Sequence, residues 1–183
     1  RPLLSAKHEG EAAQQDLTAA KDALKNDEIG QARAYVRRAR VHVDEAQSDA
    51  AGPGGDVWAS IPVAGGAVDD ERHLINALDE ITAVAEIGVD IYPIVSGRSS
   101  DLIRGQRIDL GRLQAVADRT TSIGPHLDAA LSELDQVDGS TPVVGGSIRS
   151  AKTTALDYLA PLQETYDKNE PVLRALPGLV GAD

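Results

Sequence analysis

The sequence predicts an all-α fold, an elongated antiparallel bundle of about five long helices. The main observation is an apolar stripe whose members alternate in steps of three and four residues, which places them on one side of a helix. The stripe comprises Ile29, Ala32, Val36, Ala39, Val43, Ala46 and Ala50 in the first half of the chain and Leu110, Leu113, Ala117, Thr120, Gly124, Leu127, Leu131 and Leu134 in the second. The second observation is that clusters of Gly and Pro separate the periodic segments.

The core of this bundle must be built from Ala, Leu, Val and Ile. The 183-residue chain contains no Phe, no Met, no Cys and only one Trp. Alanine at the helix contacts allows the axes to approach toward the lower end of the roughly 8–10 Å range for packed helices. Such a core leaves little room for a buried cofactor, and we predict none. Without Cys there are no disulfides and no thiolate metal sites.

The bounds of the helices are predicted from the apolar stripe, which forms the seam between packed helices, and from helix start and stop signals. The predicted helices cover 3–25, 27–51, 69–95, 109–137 and 147–176. Asn26 or Asp27 is expected to cap the second helix, and Pro93 to weaken or end the third. Pro125 and Pro161 fall inside the last two helices, where each is expected to produce a kink.

The segments between the helices also have predicted roles. Residues 52–68 are predicted to form a loop that carries Trp58, and residues 97–108 a linker. The predicted bundle is one domain, 1–183. Because the chain begins at Arg1 without Met, we interpret it as excised from a longer protein.

Net charge excludes some functional classes. The chain carries 18 basic and 29 acidic residues, a net charge of −11. Nucleic-acid binding needs a basic face, so we expect no nucleic-acid partner. No apolar run approaches the length that spans a bilayer and no signal peptide is visible, so a membrane would be reached only through a segment outside this fragment.

No catalytic constellation accompanies the helices. None of the four histidines has the i, i+4 spacing of a zinc-binding helix, and no nucleophile has a recognisable context. The densest titratable group, Asp69 to His73, is interpreted as acids that stabilise a helix start. The turn before Ser147, followed by Arg149 and Lys152, is favoured as structural over anion-binding. We therefore predict no catalytic, cofactor-binding or metal-binding residue and no enzymatic activity.

Clusters of arginine, which are exceptions to the net negative charge of the chain, suggest an interaction surface. Its candidate residues are Arg33, Arg37 and Arg40 on one face of the second helix, Trp58 in the loop, and Arg104 and Arg107 in the linker. The common interpretation of such arginines is a solvated face that pairs with nearby acids. The functional alternative is a docking patch for an anionic polymer or an acidic partner. Trp58 either plugs the end of the bundle or contacts a partner.

The order of features resembles a known family. The features are an Ala-rich hairpin with Leu24, Asp27, Ala32-Arg33 and Ala39, a Pro-x-x-Gly loop at 62–65, and the ending Leu-Arg-Ala-Leu-Pro-Gly-Leu-Val-Gly-Ala-Asp at 173–183. They resemble the helical region of an uncharacterised bacterial family of membrane-anchored cell-envelope proteins, a domain of unknown function. The resemblance implies an extracytoplasmic location, an anchor in the cell membrane and an association with surface polysaccharide or envelope assembly. It implies no catalytic residues.

Three functional hypotheses follow. The first is a non-catalytic scaffold or interaction module of a cell-envelope protein, with a protein or an envelope polysaccharide as partner and the oligomeric state left open. The second is a ligand-sensing bundle in which proline kinks open a pocket near Pro125 and Pro161. The third is an enzyme, which would be favoured if the two arginine clusters lay next to each other around a cleft shared with His126.

Overall fold

The chain is all-α, as predicted. A computed structural model describes residues 2–51, 65–96, 103–104, 107–141 and 145–179. The helices are α1 (Pro2–Lys25), α2 (Ile29–Ala51), α3 (Gly65–Val95), α4 (Leu110–Thr121), α5 (Ile123–Gln136) and α6 (Gly145–Leu179). Within the predicted linker, β1 (Ile103–Arg104) and β2 (Arg107–Ile108) are two-residue strands that pair antiparallel.

The first two helices form a hairpin along the predicted alanine seam. On α2 the buried residues are Ala32, Val36, Ala39, Val43, Ala46 and Ala50. They meet the alanines of α1 in successive clusters, from Ala20 and Ala23 near the turn to Ala6 at the far end. Small residues on both helices permit this close approach. The stripe therefore does mark the contact between helices.

The hairpin turn differs from the prediction in one detail. Because α2 begins at Ile29, Glu28 occupies the position before the first helical residue, and neither Asn26 nor Asp27 does. Asp27 instead has a left-handed φ of 64°. Glu28 N donates to Ala23 O at 2.8 Å, which closes the end of α1. Asp tolerates this backbone conformation better than most residues, which suits it to the turn.

The remaining helices bury a second cluster around α3. Its buried members are Ala77, Val84, Leu127, Ala130, Leu134 and Leu159. They come from α3, α5 and α6, so α3 contacts the hairpin on one side and the later helices on the other. Leu110, at the start of the second stripe, is 50% exposed and does not belong to this core.

The predicted fourth helix is interrupted near its proline. We expected a kink at Pro125, whereas α4 ends at Thr121 and α5 begins at Ile123. Pro125 has no N–H for the Thr121 carbonyl four residues earlier, and its ring crowds that oxygen, so a continuous helix is disfavoured. The break at Ser122 places Pro125 in the first turn of α5, where an N–H has no helical partner anyway. In contrast, α6 continues through Pro161.

Two helices begin at least two residues earlier than predicted. The first is α3, which starts at Gly65 instead of residue 69, and the second is α6, which starts at Gly145 instead of 147. A side chain at Gly145 would overlap the carbonyl oxygen of Gly139, so glycine is what allows α6 to begin against the preceding turn. None of the helices in the described parts of the chain is both long and apolar enough to cross a membrane.

Candidate functional site

The three candidate arginines of α2, Arg33, Arg37 and Arg40, do not share one role. Arg40 faces α3, where Nε and Nη2 each donate to Glu86 at 3.1 Å and Nη1 donates to Asp79. The hydrogen bond to Glu86 is the main reason that the pKa of Arg40 is raised, and burial opposes it. A bidentate contact and a second carboxylate on the next helix make Arg40 a connection between α2 and α3.

Arg33 lies at the same junction but is only loosely held. Its Nη2 is 3.6 Å from Asp90 Oδ1, and Arg119 of α4 is 3.6 Å from the other oxygen of the same carboxylate. All three side chains are about half exposed. Exposed pairs of this kind contribute little to stability.

Arg37 is the α2 arginine that remains available. Its side chain is exposed, and it makes no ion pair with any residue that the structure describes. Its neighbour Arg38 donates to Asp16 at 2.6 Å and lies over the ring of Tyr35. Val41, one turn after Arg37, is 53% exposed. We call Ala34, Arg37 and Val41 the outer face of α2.

The remaining candidate residues lie in the predicted loop and the predicted linker. Trp58 lies outside the described residues. Arg104 and Arg107 are Cα partners across the short antiparallel pair of strands. The two residues are therefore direct cross-strand neighbours, which the prediction of a linker over 97–108 did not anticipate.

Three of the four histidines form pairs with glutamates on neighbouring helices. The pairs are His42 with Glu9 at 2.7 Å, His73 with Glu133 at 2.7 Å, and His126 with Glu80 at 2.6 Å. The first links α1 to α2 and the others link α3 to α5. His126, the histidine named in the enzyme hypothesis, is thus paired with Glu80 of α3.

Asp70 has a structural role that the sequence did not reveal. It was interpreted as an acid at a helix start, but α3 begins five residues earlier. Its buried carboxylate accepts hydrogen bonds from Asp138 N at 2.7 Å and Gly139 N at 3.0 Å. Asp70 thus fixes the connection after α5. No local pattern signals this contact, since it joins residues 69 positions apart.

The same connection engages the two cations considered for an anion site. Arg149 donates to the carbonyl of Gly139, and Lys152 Nζ donates to that of Val137 at 2.8 Å. Gly139 has a φ of 63°, and an added Cβ would lie 2.6 Å from Arg149 Cγ. Both cations therefore donate hydrogen bonds to backbone carbonyls of the connection after α5.

Among the carboxyl groups that the structure describes, Glu71 has a strongly raised pKa. Burial raises its pKa to about 7, against an opposing effect of Lys7. Glu71 of the unfolded chain ionises near the ordinary value of 4.5. Folding therefore becomes less favourable as pH rises between these two values, and the full penalty applies above pH 7.

We expect Glu71→Gln to remove this penalty. The variant should be more stable than the wild type by about 1 kcal/mol near pH 8, a value discounted for partial exposure. Near pH 4, where the carboxyl is protonated in both states, the two proteins should be equally stable. Urea denaturation at both pH values measures the difference. Glu164→Gln, at an exposed residue of α6, is the control, and a similar gain there would contradict the assignment.

A cleft lies where the break near Pro125 faces α6. Its volume is about 320 Å³. It is lined by Thr121, Gly124, Pro125, Asp128, Gln163, Tyr166, Asp167 and Glu170. A Cβ at Gly124 would lie 2.8 Å from the Tyr166 ring, so glycine lets the two helices meet beside the cleft. Gln163 Oε1 is buried and has no hydrogen-bond partner among the described residues.

Because comparisons with known proteins found no match, the class of this protein is defined by its fold and by the contacts described above. No protein-family model, no curated protein and no solved structure matches the chain. On the geometry above, it is a helical bundle in which pairs of polar side chains join neighbouring helices.

Proposed function

We propose that this chain is a non-catalytic helical scaffold of a membrane-anchored cell-envelope protein, located outside the cytoplasm. The observation that carries the proposal is the use of its polar side chains. Arg40, His73 and His126, which the sequence offers for binding or chemistry, each pair with a carboxylate on another helix. Such pairs hold helices in a defined arrangement, which is what a spacer or platform requires.

The outer face of α2 is the docking surface that we assign to this scaffold. Arg37 supplies a charge that the bundle does not use, and Val41 adds exposed apolar area beside it. The resemblance to envelope proteins favours an acidic surface polysaccharide as the partner. A local cation attracts such a polymer at low salt even on an acidic protein, although the net charge of −11 opposes it.

Arg37→Glu tests this docking surface. We expect the wild type to be retarded by polygalacturonate in affinity electrophoresis at low salt, and the variant to lose most of that retardation. Lys168→Glu makes the same charge change at an exposed residue of α6. Relative to a gel without the polymer, it should be retarded as much as the wild type. Equal retardation of both variants, or none of the wild type, would argue against polysaccharide docking through α2.

The cleft at Pro125 favours a second function, a ligand-sensing bundle. Asp128 and Asp167 contribute negative charge, and the unpaired Gln163 Oε1 can accept a hydrogen bond. This lining suits a small organic ammonium ion, which brings both positive charge and N–H donors. A thermal-shift screen with spermidine and other amines should then raise the melting temperature of the wild type and not of Asp128→Asn. Absence of any shift counts against sensing.

A further inference from the structure

Two helices bring an imidazole and two carboxylates together on the hairpin. Glu9 comes from α1, and His42 and Glu45 come from α2. One ligand atom from each residue lies within 4.8 Å of the other two. Glu9 and His42 are half-buried while Glu45 is exposed, so an ion could enter from solvent.

The local sequence explains why these groups converge. His42 and Glu45 are three residues apart on a helix, so they share a face. The small residues Ala13 and Ala39 draw α1 and α2 together beneath them. At this separation Glu9 Oε2 reaches His42 Nδ1 at 2.7 Å. Ligand atoms on a zinc ion are about 3.4 Å apart. Small side-chain rotations would therefore lengthen the 2.7 Å contact between Glu9 and His42 and bring Glu45 closer.

A second set of contacts orients the imidazole. His42 Nε2 faces Asp16 Oδ2 at 3.8 Å, and Arg38 donates to the other oxygen of Asp16 at 2.6 Å. The 3.8 Å contact is too long for a hydrogen bond, but it places a carboxylate beside the second ring nitrogen, where metal-binding histidines generally have one. Three carboxylates and one guanidinium leave an excess of two negative charges around a neutral His42. That excess matches a divalent cation.

The other histidine pairs show what is particular to this one. His73 with Glu133 and His126 with Glu80 have the same Nδ1-to-carboxylate contact between helices. Among the described residues, neither pair has a third metal-ligating side chain close enough to complete a group. They provide natural comparisons, because the fold uses the same contact without the additional carboxylate.

We propose that Glu9, His42 and Glu45 bind one divalent transition-metal ion of the zinc class. A mixed nitrogen and oxygen ligand set favours zinc and its neighbours, whereas Mg²⁺ and Ca²⁺ prefer oxygen ligands alone. Solvent completes the coordination on the exposed side. The ion joins α1 to α2 and so stabilises the hairpin of the scaffold.

Calorimetric titration of tag-free protein with Zn²⁺ tests the site. We expect one ion per chain, and weaker binding by at least about tenfold in Glu45→Gln and in His42→Gln. Glu45 is exposed, so its substitution leaves the fold intact. Mg²⁺ should bind far more weakly than Zn²⁺. Co²⁺ should give a visible absorption band that His42→Gln removes.

Matched controls separate this site from general zinc binding. Asp44→Asn removes the same charge from the neighbouring residue, and His73→Gln removes a histidine from a comparable pair. Both should bind Zn²⁺ with wild-type affinity. The proposal is overturned if Glu45→Gln and Asp44→Asn bind equally well, if His42→Gln and His73→Gln do, or if the wild type shows no saturable binding.

Discussion

Replacing Asp70 with alanine is expected to lower the free energy of unfolding by about 3 kcal/mol. The carboxylate is 4% exposed and accepts from two consecutive backbone N–H groups, Asp138 N and Gly139 N. Its removal deletes two charge-assisted hydrogen bonds and leaves the donor of the buried Gly139 without that partner. The loss of stability is large because a backbone N–H that is buried away from water destabilises the fold when it has no hydrogen-bond partner.

Urea denaturation near pH 7 measures this effect, with Asp69→Ala as the matched control. Asp69 is exposed, and its distance of 3.9 Å to Arg72 makes only a weak pair, so its substitution should change stability by less than about 0.5 kcal/mol. Amide exchange at residues 138 and 139 should also accelerate in Asp70→Ala alone. Equal stability of the two variants would contradict the assigned role.

The second large effect is expected at Arg40. Arg40→Ala should reduce the free energy of unfolding by about 2 kcal/mol, because it removes all the hydrogen bonds from Arg40 to α3 and leaves Glu86 and Asp79 without this cation. The estimate stays below the range for fully buried pairs because the Arg40 side chain is 26% exposed.

Arg37→Ala is the control for Arg40, since both residues lie on the same helix three positions apart. Its side chain is exposed, so thermal and urea unfolding should match the wild type within about 0.5 kcal/mol. This pair of variants separates the two interpretations of the arginine face. If Arg37→Ala destabilised the protein as much as Arg40→Ala, the division between a structural and an available arginine would be wrong.

Several features of the fold follow from local sequence alone. Helix periodicity predicts that Ala32, Val36 and Ala39 share one buried seam, and the buried residues of α2 agree. Pro125 signals a disturbance in the fourth predicted helix, and the break at Ser122 lies three residues away. Both signals act within a turn or two of helix, which is why they can be recognised without tertiary information.

The candidate sites were much harder to predict from the sequence than the fold. The sequence identified Arg33, Arg37 and Arg40 as one group, but a helix face does not reveal what packs against each position. Arg40 donates hydrogen bonds to carboxylates on α3, whereas Arg37 is exposed. The separations are 46 residues for the Arg40–Glu86 hydrogen bond and 33 for the contact of His42 with Glu9. No spacing rule along one helix anticipates either.

Local sequence patterns are therefore enough to predict an all-α chain with small-residue helix contacts, because helix periodicity, glycine and proline act over a few neighbouring residues. The packing of the helices sets which charged side chains connect them, which one stays exposed, and that Glu9 lies close to His42 and Glu45. These outcomes depend on how the helices rotate and register against one another. That arrangement comes from packing the seams, so partners far apart in the chain become neighbours only after the helices have assembled.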